Sequence, residues 1–188
     1  MKKLALVLTV FTASIFGVNA QVQFGVKAGA NFANITNSDG GKTLVGLNAG
    51  ALVKIPVTEA FSVQPEAVFS MQGVKYDGGK NTLSYINVPV LATYTLPVGV
   101  FFQTGPQIGF LMSAKAKEDG GESIDIKSAL KSTDFSWAFG AGYLIPEVNL
   151  GFNARYNLGL SKLADGSDSK NTVIQVGVFY MFGGSSKK

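Results

Sequence analysis

The feature that most constrains this chain is an alternation of apolar and polar residues that recurs along most of its length. In the first such segment, Phe24, Val26 and Phe32 occupy even positions, whereas Lys27 and Asn31 occupy odd ones. Successive side chains of a β-strand point to opposite faces, so the pattern predicts strands with one apolar and one polar face. The segments are 22–32, 44–56, 61–75, 82–96, 98–115, 133–145, 148–162 and 171–182.

These eight segments predict a closed barrel. Each has the roughly 9–11 residues that a tilted membrane-spanning strand needs, and an even strand number suits a closed antiparallel barrel. The connections after segments two, four and six are short and contain proline, whereas the other connections are polar and rich in Gly, Asp and Ser. This asymmetry is typical of outer-membrane barrels. We therefore predict an all-β, eight-stranded antiparallel up-and-down transmembrane β-barrel with both ends on the periplasmic side.

The composition of the two faces indicates which one meets lipid. Glycines are frequent on the polar face, which suits the crowded interior of an eight-stranded barrel. Aromatic residues lie near both ends of the apolar face, as expected at two membrane interfaces. Alternation alone is equally compatible with a soluble barrel, so a soluble exported lipocalin-like barrel that binds an apolar ligand stays open as the alternative.

The first 20 residues have the pattern of a cleaved secretory signal peptide. Lys2 and Lys3 precede an uncharged run, Leu4 to Val18, and small residues at Val18 and Ala20 fit a cleavage site. We expect a signal peptide at 1–20, an outer-membrane barrel at 21–182 and a polar C-terminal tail at 183–188. After residue 20, no segment approaches the 18 apolar residues of a membrane-spanning helix.

The composition also limits the chemistry. The chain has no Cys and no His, which excludes disulfides, Cys or His metal ligands and a His-based catalytic triad. Removing Lys2 and Lys3 from the 16 basic residues, against 12 acidic ones, leaves a net charge of +2, too small to indicate a nucleic-acid partner.

Four charged residues fall on the polar face: Lys27, Lys54, Glu66 and Arg155. An unpaired charge inside a narrow lumen is costly, so pairing is expected. The third and seventh segments lie across the barrel from each other, which predicts a structural lumen charge cluster of Lys27, Glu66 and Arg155. A proton relay or an ion gate is the functional alternative, but eight-stranded barrels leave little open space for either.

Two further motifs do not carry chemistry. Gly41-Lys42-Thr43 resembles the end of a phosphate-binding loop, but Thr36 stands where that motif requires its first glycine. The acids at positions 118, 119, 122 and 125 have the ligand chemistry of a divalent-cation site, but a solvated loop is the better interpretation. We therefore predict no catalytic residues, no cofactor and no metal.

Three prolines, Pro65, Pro89 and Pro106, fall inside segments. Proline cannot donate a ladder hydrogen bond and usually marks an edge or a bulge. We expect a local bulge at each of them.

Several short motifs resemble a known family. They are Phe24-Gly25-Val26-Lys27-Ala28-Gly29-Ala30-Asn31-Phe32-Ala33, Gln64-Pro65-Glu66, Ile86-Asn87-Val88-Pro89, Gly105-Pro106 and Arg155-Tyr156-Asn157-Leu158-Gly159-Leu160. Their order and spacing resemble the small outer-membrane barrels of Bacteroidetes, known as PorT-like or outer membrane protein beta-barrel domain proteins. The chain departs from the family's usual end because six residues follow Phe182. The resemblance carries no single chemistry.

The expected function is therefore that of a non-enzymatic outer-membrane protein. Its role would lie in envelope integrity, surface interaction or assembly of a secretion apparatus. The expected partners are outer-membrane lipid, the barrel-assembly machinery and unidentified envelope proteins. A barrel enzyme acting on lipid or peptide is a third hypothesis, and the missing histidine weakens it.

Overall fold

The computed structural model describes residues 22–182, and within them the chain forms nine β-strands and one short 3₁₀ helix. The strands are β1 (Gln23–Ile35), β2 (Lys42–Pro56), β3 (Phe61–Tyr76), β4 (Gly79–Thr95), β5 (Val100–Glu118), β6 (Ser123–Asp125), β7 (Thr133–Ile145), β8 (Leu150–Gly159) and β9 (Asn171–Phe182), and the helix is Lys127–Ala129. In this described part, no helix is long and apolar enough to cross a membrane. The predicted signal peptide and C-terminal tail lie outside the described residues.

The eight long strands close into an antiparallel barrel. Sequential neighbours pair from β1 to β5, β5 pairs with β7, and β7, β8 and β9 continue to β1. The predicted eight-stranded antiparallel up-and-down barrel is thus confirmed, and its strand bounds lie within a few residues of the predicted segments. The short β6 pairs only with the far end of β5 and takes no part in closure. It was not predicted, because three residues carry too little alternation to show a period.

The strand registers make the barrel narrow. A circuit through the paired residues that leaves β1 at Phe24 returns to β1 at Asn34. A stagger of this size tilts the strands by about 40° and leaves an interior just wide enough for side chains. The lumen is therefore a packed core.

The two ends of the barrel differ. Short turns join β2 to β3, β4 to β5 and β7 to β8 at the end where the described chain also begins and finishes, which we call the turn end. The connections at the opposite end, the loop end, include the two longest, which contain β6 and residues 160–170. This is the predicted asymmetry. Asp77 and Gly78 alone connect β3 to β4, with Gly78 at a φ of 93° that suits glycine.

The prediction of a bulge at each of the three prolines is wrong. Each proline pairs with a neighbouring strand on one side only: Pro65 with Val90, Pro89 with Gln107 and Pro106 with Trp137. On its other side the pairing is interrupted and then resumes in the same register. Proline lacks one N–H group, and losing that single donor interrupts a ladder without requiring an extra residue.

The register shifts lie nearer the loop end instead. One falls between Thr43 and Asn48 in the β2–β3 pairing, and the other between Ser84 and Tyr85 in the β4–β5 pairing. Beyond the second shift, Ala114 is buried and Lys115 is exposed. Lys115 has the same parity as Gln103, and alternation alone would therefore put both residues on the polar inner face. This prediction is wrong for Lys115, since an extra residue in β5 reverses the faces of everything that follows it.

The outer surface carries the apolar face, as predicted. Val26 is 46 % exposed and Val178 is 43 % exposed, although both lie inside their strands and not in the connections. Exposed aromatic residues lie toward both ends of this band: Phe24, Phe61, Tyr94, Phe102, Tyr143, Tyr180 and Phe182 at the turn end, and Phe32, Phe69, Phe110, Phe135 and Tyr156 at the loop end. An apolar band between two aromatic girdles is the surface of a barrel embedded in lipid.

Candidate functional site

The structure brings the three predicted charged residues together inside the lumen. Lys27 comes from β1, Glu66 from β3 and Arg155 from β8. Their positions follow from strand parity, because the neighbours of each residue along its strand lie on the lipid face. All three side chains are 3 % exposed or less. We call these residues the charge cluster.

The Glu66 carboxylate is the centre of the charge cluster. Arg155 donates from both terminal nitrogens, to Glu66 Oε2 at 2.9 Å and to Oε1 at 2.7 Å. The ammonium of Lys27 donates to Oε2 at 3.1 Å, and the Gln64 amide donates to Oε1 at 2.8 Å. A bidentate Arg–carboxylate pair is the strongest form of ion pair, and here both carboxylate oxygens are saturated.

The charge cluster contains two cations and one anion. Arg155 also donates to the Gln103 side-chain oxygen at 3.1 Å, which spreads part of its charge over a neutral amide. Lys54, the fourth charged residue predicted on the polar face, is half-buried and lies nearer the turn end, next to Gln64. Within residues 22–182, Lys54 makes no ion pair, so it does not join the charge cluster.

Above the charge cluster, toward the loop end, lies a network of neutral side chains centred on Asn31. Its amide nitrogen donates to the Ser70 hydroxyl at 2.9 Å and to the Met71 carbonyl at 2.8 Å. Its amide oxygen accepts from Asn48 at 2.7 Å and from Gln175 at 3.0 Å. The network ties four strands together across the lumen, and fully bonded buried polar groups of this kind favour one packing arrangement.

A second polar group, which the sequence did not single out, lies closer to the loop end. Asn171 donates to Asp134 at 3.0 Å and to the Tyr85 hydroxyl at 3.3 Å, and the Ser161 hydroxyl donates to Asp134 at 2.6 Å. Strand parity is the signal that could have found Tyr85 and Asp134, because they share the parity of the inward-facing Asn87 and Ser136. Ser161 falls on the polar face of the predicted segment 148–162, although in the structure it lies beyond the end of β8.

Apolar side chains close the lumen at the turn end. The rings of Phe101 and Phe179 meet edge to face at 5.8 Å between centroids. Two glycines make room for them: a Cβ at Gly142 would lie 2.2 Å from the Phe101 ring, and one at Gly151 would lie 2.1 Å from the Phe179 ring. The glycines of the inner face therefore accommodate large neighbours across a narrow lumen.

A second apolar layer closes the lumen at the loop end. Its buried members come from β4, β5 and the connection after β8, and residues of the end of β1 and of the connection between β5 and β7 pack against them. They are Leu83, Tyr85, Leu111, Ala114 and Leu163, with Ile35, Ile126 and Leu130 against them. The long connections thus cover the opening of the barrel, which could not be read from their polar composition.

Two small cavities lie in the lumen at or near the charge cluster. One lies at the charge cluster, and the other lies between it and the turn end; each has a volume of about 10 Å³. Such a volume accommodates about one water molecule. A pocket for a drug-sized apolar ligand needs roughly 300–1,000 Å³, so neither cavity suits the internal ligand of a lipocalin-like barrel.

The connections at the loop end carry exposed ion pairs. Lys131 binds Asp165 at 2.8 Å, and Lys162 binds Asp168 at 2.6 Å. In each case the lysine's hydrogen bond and positive charge lower the pKa of the carboxyl below its usual value. Because these side chains are exposed, solvent screens the pairs and their contribution to stability is small.

The structure offers no support for a metal centre. In the part of the chain that the structure describes, no three acidic side chains are grouped so that they could hold an ion. Asp125, one of the four loop acids considered from the sequence, instead accepts a hydrogen bond from the backbone of Lys127 at 2.8 Å.

Comparison with known proteins identifies the family. The family model described as outer membrane protein beta-barrel domain matches residues 16–165. The chain belongs to this family of outer-membrane proteins. No curated protein matches its sequence.

Solved structures agree on the fold. Ail, the attachment invasion locus protein of Yersinia pestis, superposes with a TM-score of 0.52 at 20 % identity, over 86 % of this chain and 99 % of Ail. Neisserial surface protein A superposes with a TM-score of 0.56 at 16 % identity, over 86 % of this chain and 99 % of that protein. At these identities the likeness extends to the fold alone.

Proposed function

We propose that this protein is a non-enzymatic, non-conducting barrel of the bacterial outer membrane that acts through its surface. The observation that carries this proposal is the filling of the lumen. Apolar layers toward the two ends, hydrogen-bonded amides and the charge cluster, whose carboxylate has both oxygens engaged, fill most of the lumen, and each of the two cavities near the charge cluster holds about one water. A role in envelope integrity, surface interaction or assembly of a secretion apparatus fits such a barrel.

In this proposal the charge cluster is a structural plug. Both carboxylate oxygens of Glu66 accept hydrogen bonds from side chains of the protein, and the nearest cavity holds about one water. A proton relay requires a chain of exchangeable groups or waters to both ends of the lumen. Toward the turn end the apolar rings of Phe101 and Phe179 narrow the lumen, and the cavity beside them also holds only about one water.

Family membership and the exposed apolar band support insertion into outer-membrane lipid. We further propose that a signal peptide directs export and is cleaved after Ala20, that the barrel-assembly machinery inserts the protein, and that it belongs to the PorT-like barrels of Bacteroidetes. Amino-terminal sequencing of the protein from outer membranes checks the cleavage and should begin at Gln21. No nucleic-acid partner and no cofactor are proposed.

Planar-bilayer recording tests the closed lumen. Protein purified from outer membranes should give no steady single-channel current. A F101A/F179A variant, which removes the two rings at the turn end, should leak more often than the wild type. Steady, large currents from the wild-type protein would overturn the proposal and indicate a pore.

A further inference from the structure

A row of lysines crosses the outer surface of the barrel near the loop end. The strand registers set Lys42 of β2 opposite Lys75 of β3, Lys75 opposite Lys80 of β4, and Lys80 opposite Lys117 of β5. All four residues are exposed, and we call them the lysine row. Adjacent strands lie about 4.8 Å apart, so the lysine row spans about 15 Å.

This arrangement is unfavourable without a counter-anion. Like charges directly opposite each other on neighbouring strands destabilise a sheet. Among the described residues, Lys42 pairs with Asp77, whose carboxylate also attracts Lys75, but Lys75, Lys80 and Lys117 have no acidic group within ion-pair distance. Four positive charges thus share one bound carboxylate.

The height of the lysine row above the apolar band places it beyond the hydrocarbon. Outward-facing Phe69, Ile86 and Phe110 are paired across the same strands and belong to the edge of this band. Lys75 and Lys80 lie six residues further toward the loop end. At about 3.3 Å per residue and a tilt of about 40°, this puts their backbone about 15 Å above the aromatic residues and past the edge of the hydrocarbon, from where the long lysine side chains reach back toward lipid headgroups.

We infer that the lysine row binds the phosphate groups of anionic glycolipids in the outer leaflet around the barrel. The lysines project from the barrel wall toward neighbouring lipid, and compact ammonium groups bind phosphate well. Thr82 and Ser84 lie on the same face of β4 between the apolar band and Lys80, where their hydroxyls are available to sugar oxygens. The inference rests on the outer-membrane location in the proposed function and is independent of whether the lumen conducts.

Lipid binding to protein purified from outer membranes tests this inference. The protein, in detergent at low ionic strength, is titrated with bisphosphorylated lipid A, and bound lipid is counted by native mass spectrometry. The row variant is K75Q/K80Q/K117Q. The matched control is K127Q/K131Q/K162Q, which removes the same charge from exposed lysines elsewhere at the loop end. Circular dichroism checks that each variant is folded.

The wild type should bind lipid A, and the row variant should bind it roughly a hundredfold more weakly, because each lysine near an anionic surface adds severalfold to affinity. The affinity of the control variant for lipid A should fall by less than about fivefold, which is the contribution of one lysine near an anionic surface. Equal losses in the two variants, or equal binding of dephosphorylated lipid A, would overturn the inference. So would loss of inositol hexakisphosphate binding in the row variant with lipid A binding intact, which would indicate a soluble polyanion.

If the row variant does not fold, the inference is tested by the affinity of the single variant K80Q for lipid A and by the salt dependence of lipid A binding to the wild type. Affinity for lipid A that is unchanged by K80Q and by added salt would equally overturn the inference. Current through the barrel, the test of the proposed function, is measured separately and has no bearing on these results.

Discussion

Replacing Glu66, Arg155 and Lys27 one at a time should destabilise the barrel by unequal amounts. The charge cluster has two cations around one carboxylate, so the consequence depends on which charge is removed. Glu66→Gln leaves two buried cations with no anion. Arg155→Gln leaves Glu66 still paired with Lys27 at 3.1 Å, and Lys27→Gln leaves the bidentate Arg155–Glu66 pair intact.

The magnitudes follow from this charge balance. Breaking a buried pair typically costs about 3–5 kcal/mol, because one charge is left uncompensated. Glu66→Gln should lie at the upper end of this range and Arg155→Gln at or below its lower end. Lys27→Gln should change the free energy of unfolding by about 1 kcal/mol or less, since it removes the surplus cation. The Glu66→Gln/Arg155→Gln double variant should cost less than the sum of the singles, with a coupling of about 1–3 kcal/mol.

Reversible urea unfolding in phospholipid vesicles measures these free energies. Trp137, the single tryptophan of the chain, lies on the outer face at 38 % exposure and reports the transfer out of lipid by its fluorescence. Strict additivity of Glu66→Gln and Arg155→Gln would show that the two residues do not interact. A Lys27→Gln variant as unstable as Glu66→Gln would refute the argument from charge balance.

Three further predictions concern the wall, the lumen and the loops. Val176→Arg, on the lipid face in mid-strand, should cost about 2–4 kcal/mol in the same unfolding assay, whereas Val98→Arg in a turn should cost about 1 kcal/mol or less; equal costs would mean that the face is assigned wrongly. Gly151→Leu should overpack the lumen and cost about 1–3 kcal/mol or more, and a thermal midpoint like that of the wild type would contradict the packing described. The pKa of Asp165 is lowered, so its pair with Lys131 is present above the ordinary pKa of about 3.9 and is lost as the pH falls through the lower, folded-state pKa. In K131Q, an NMR titration should find the pKa of Asp165 back near its ordinary value, and an unchanged pKa would exclude the pair as the cause of the shift.

The amino-acid sequence alone determined the architecture. Period two, the segment lengths and the order of short and long connections led to eight strands and their direction, because side-chain direction in a strand depends on parity alone. The glycines of the polar face and the aromatic residues of the apolar face indicated which one turns to lipid. Parity also placed Lys27, Glu66 and Arg155 inside, and the up-and-down order set Glu66 opposite Arg155. Local information sufficed for these features because each is fixed along one strand or by the order of strands.

Only the tertiary structure decided how neighbouring strands are offset. The two register shifts, and the exposure of Lys115 that follows from one of them, depend on how β5 fits β4. The same holds for the lysine row, whose members are spread from position 42 to position 117 and come into line only through the registers of three strand pairs. The apolar layer at the loop end forms because Leu163 and its partners reach the opening from different connections. Register and loop packing depend on contacts between distant segments, and the alternation within one segment carries no information about its offset from the next.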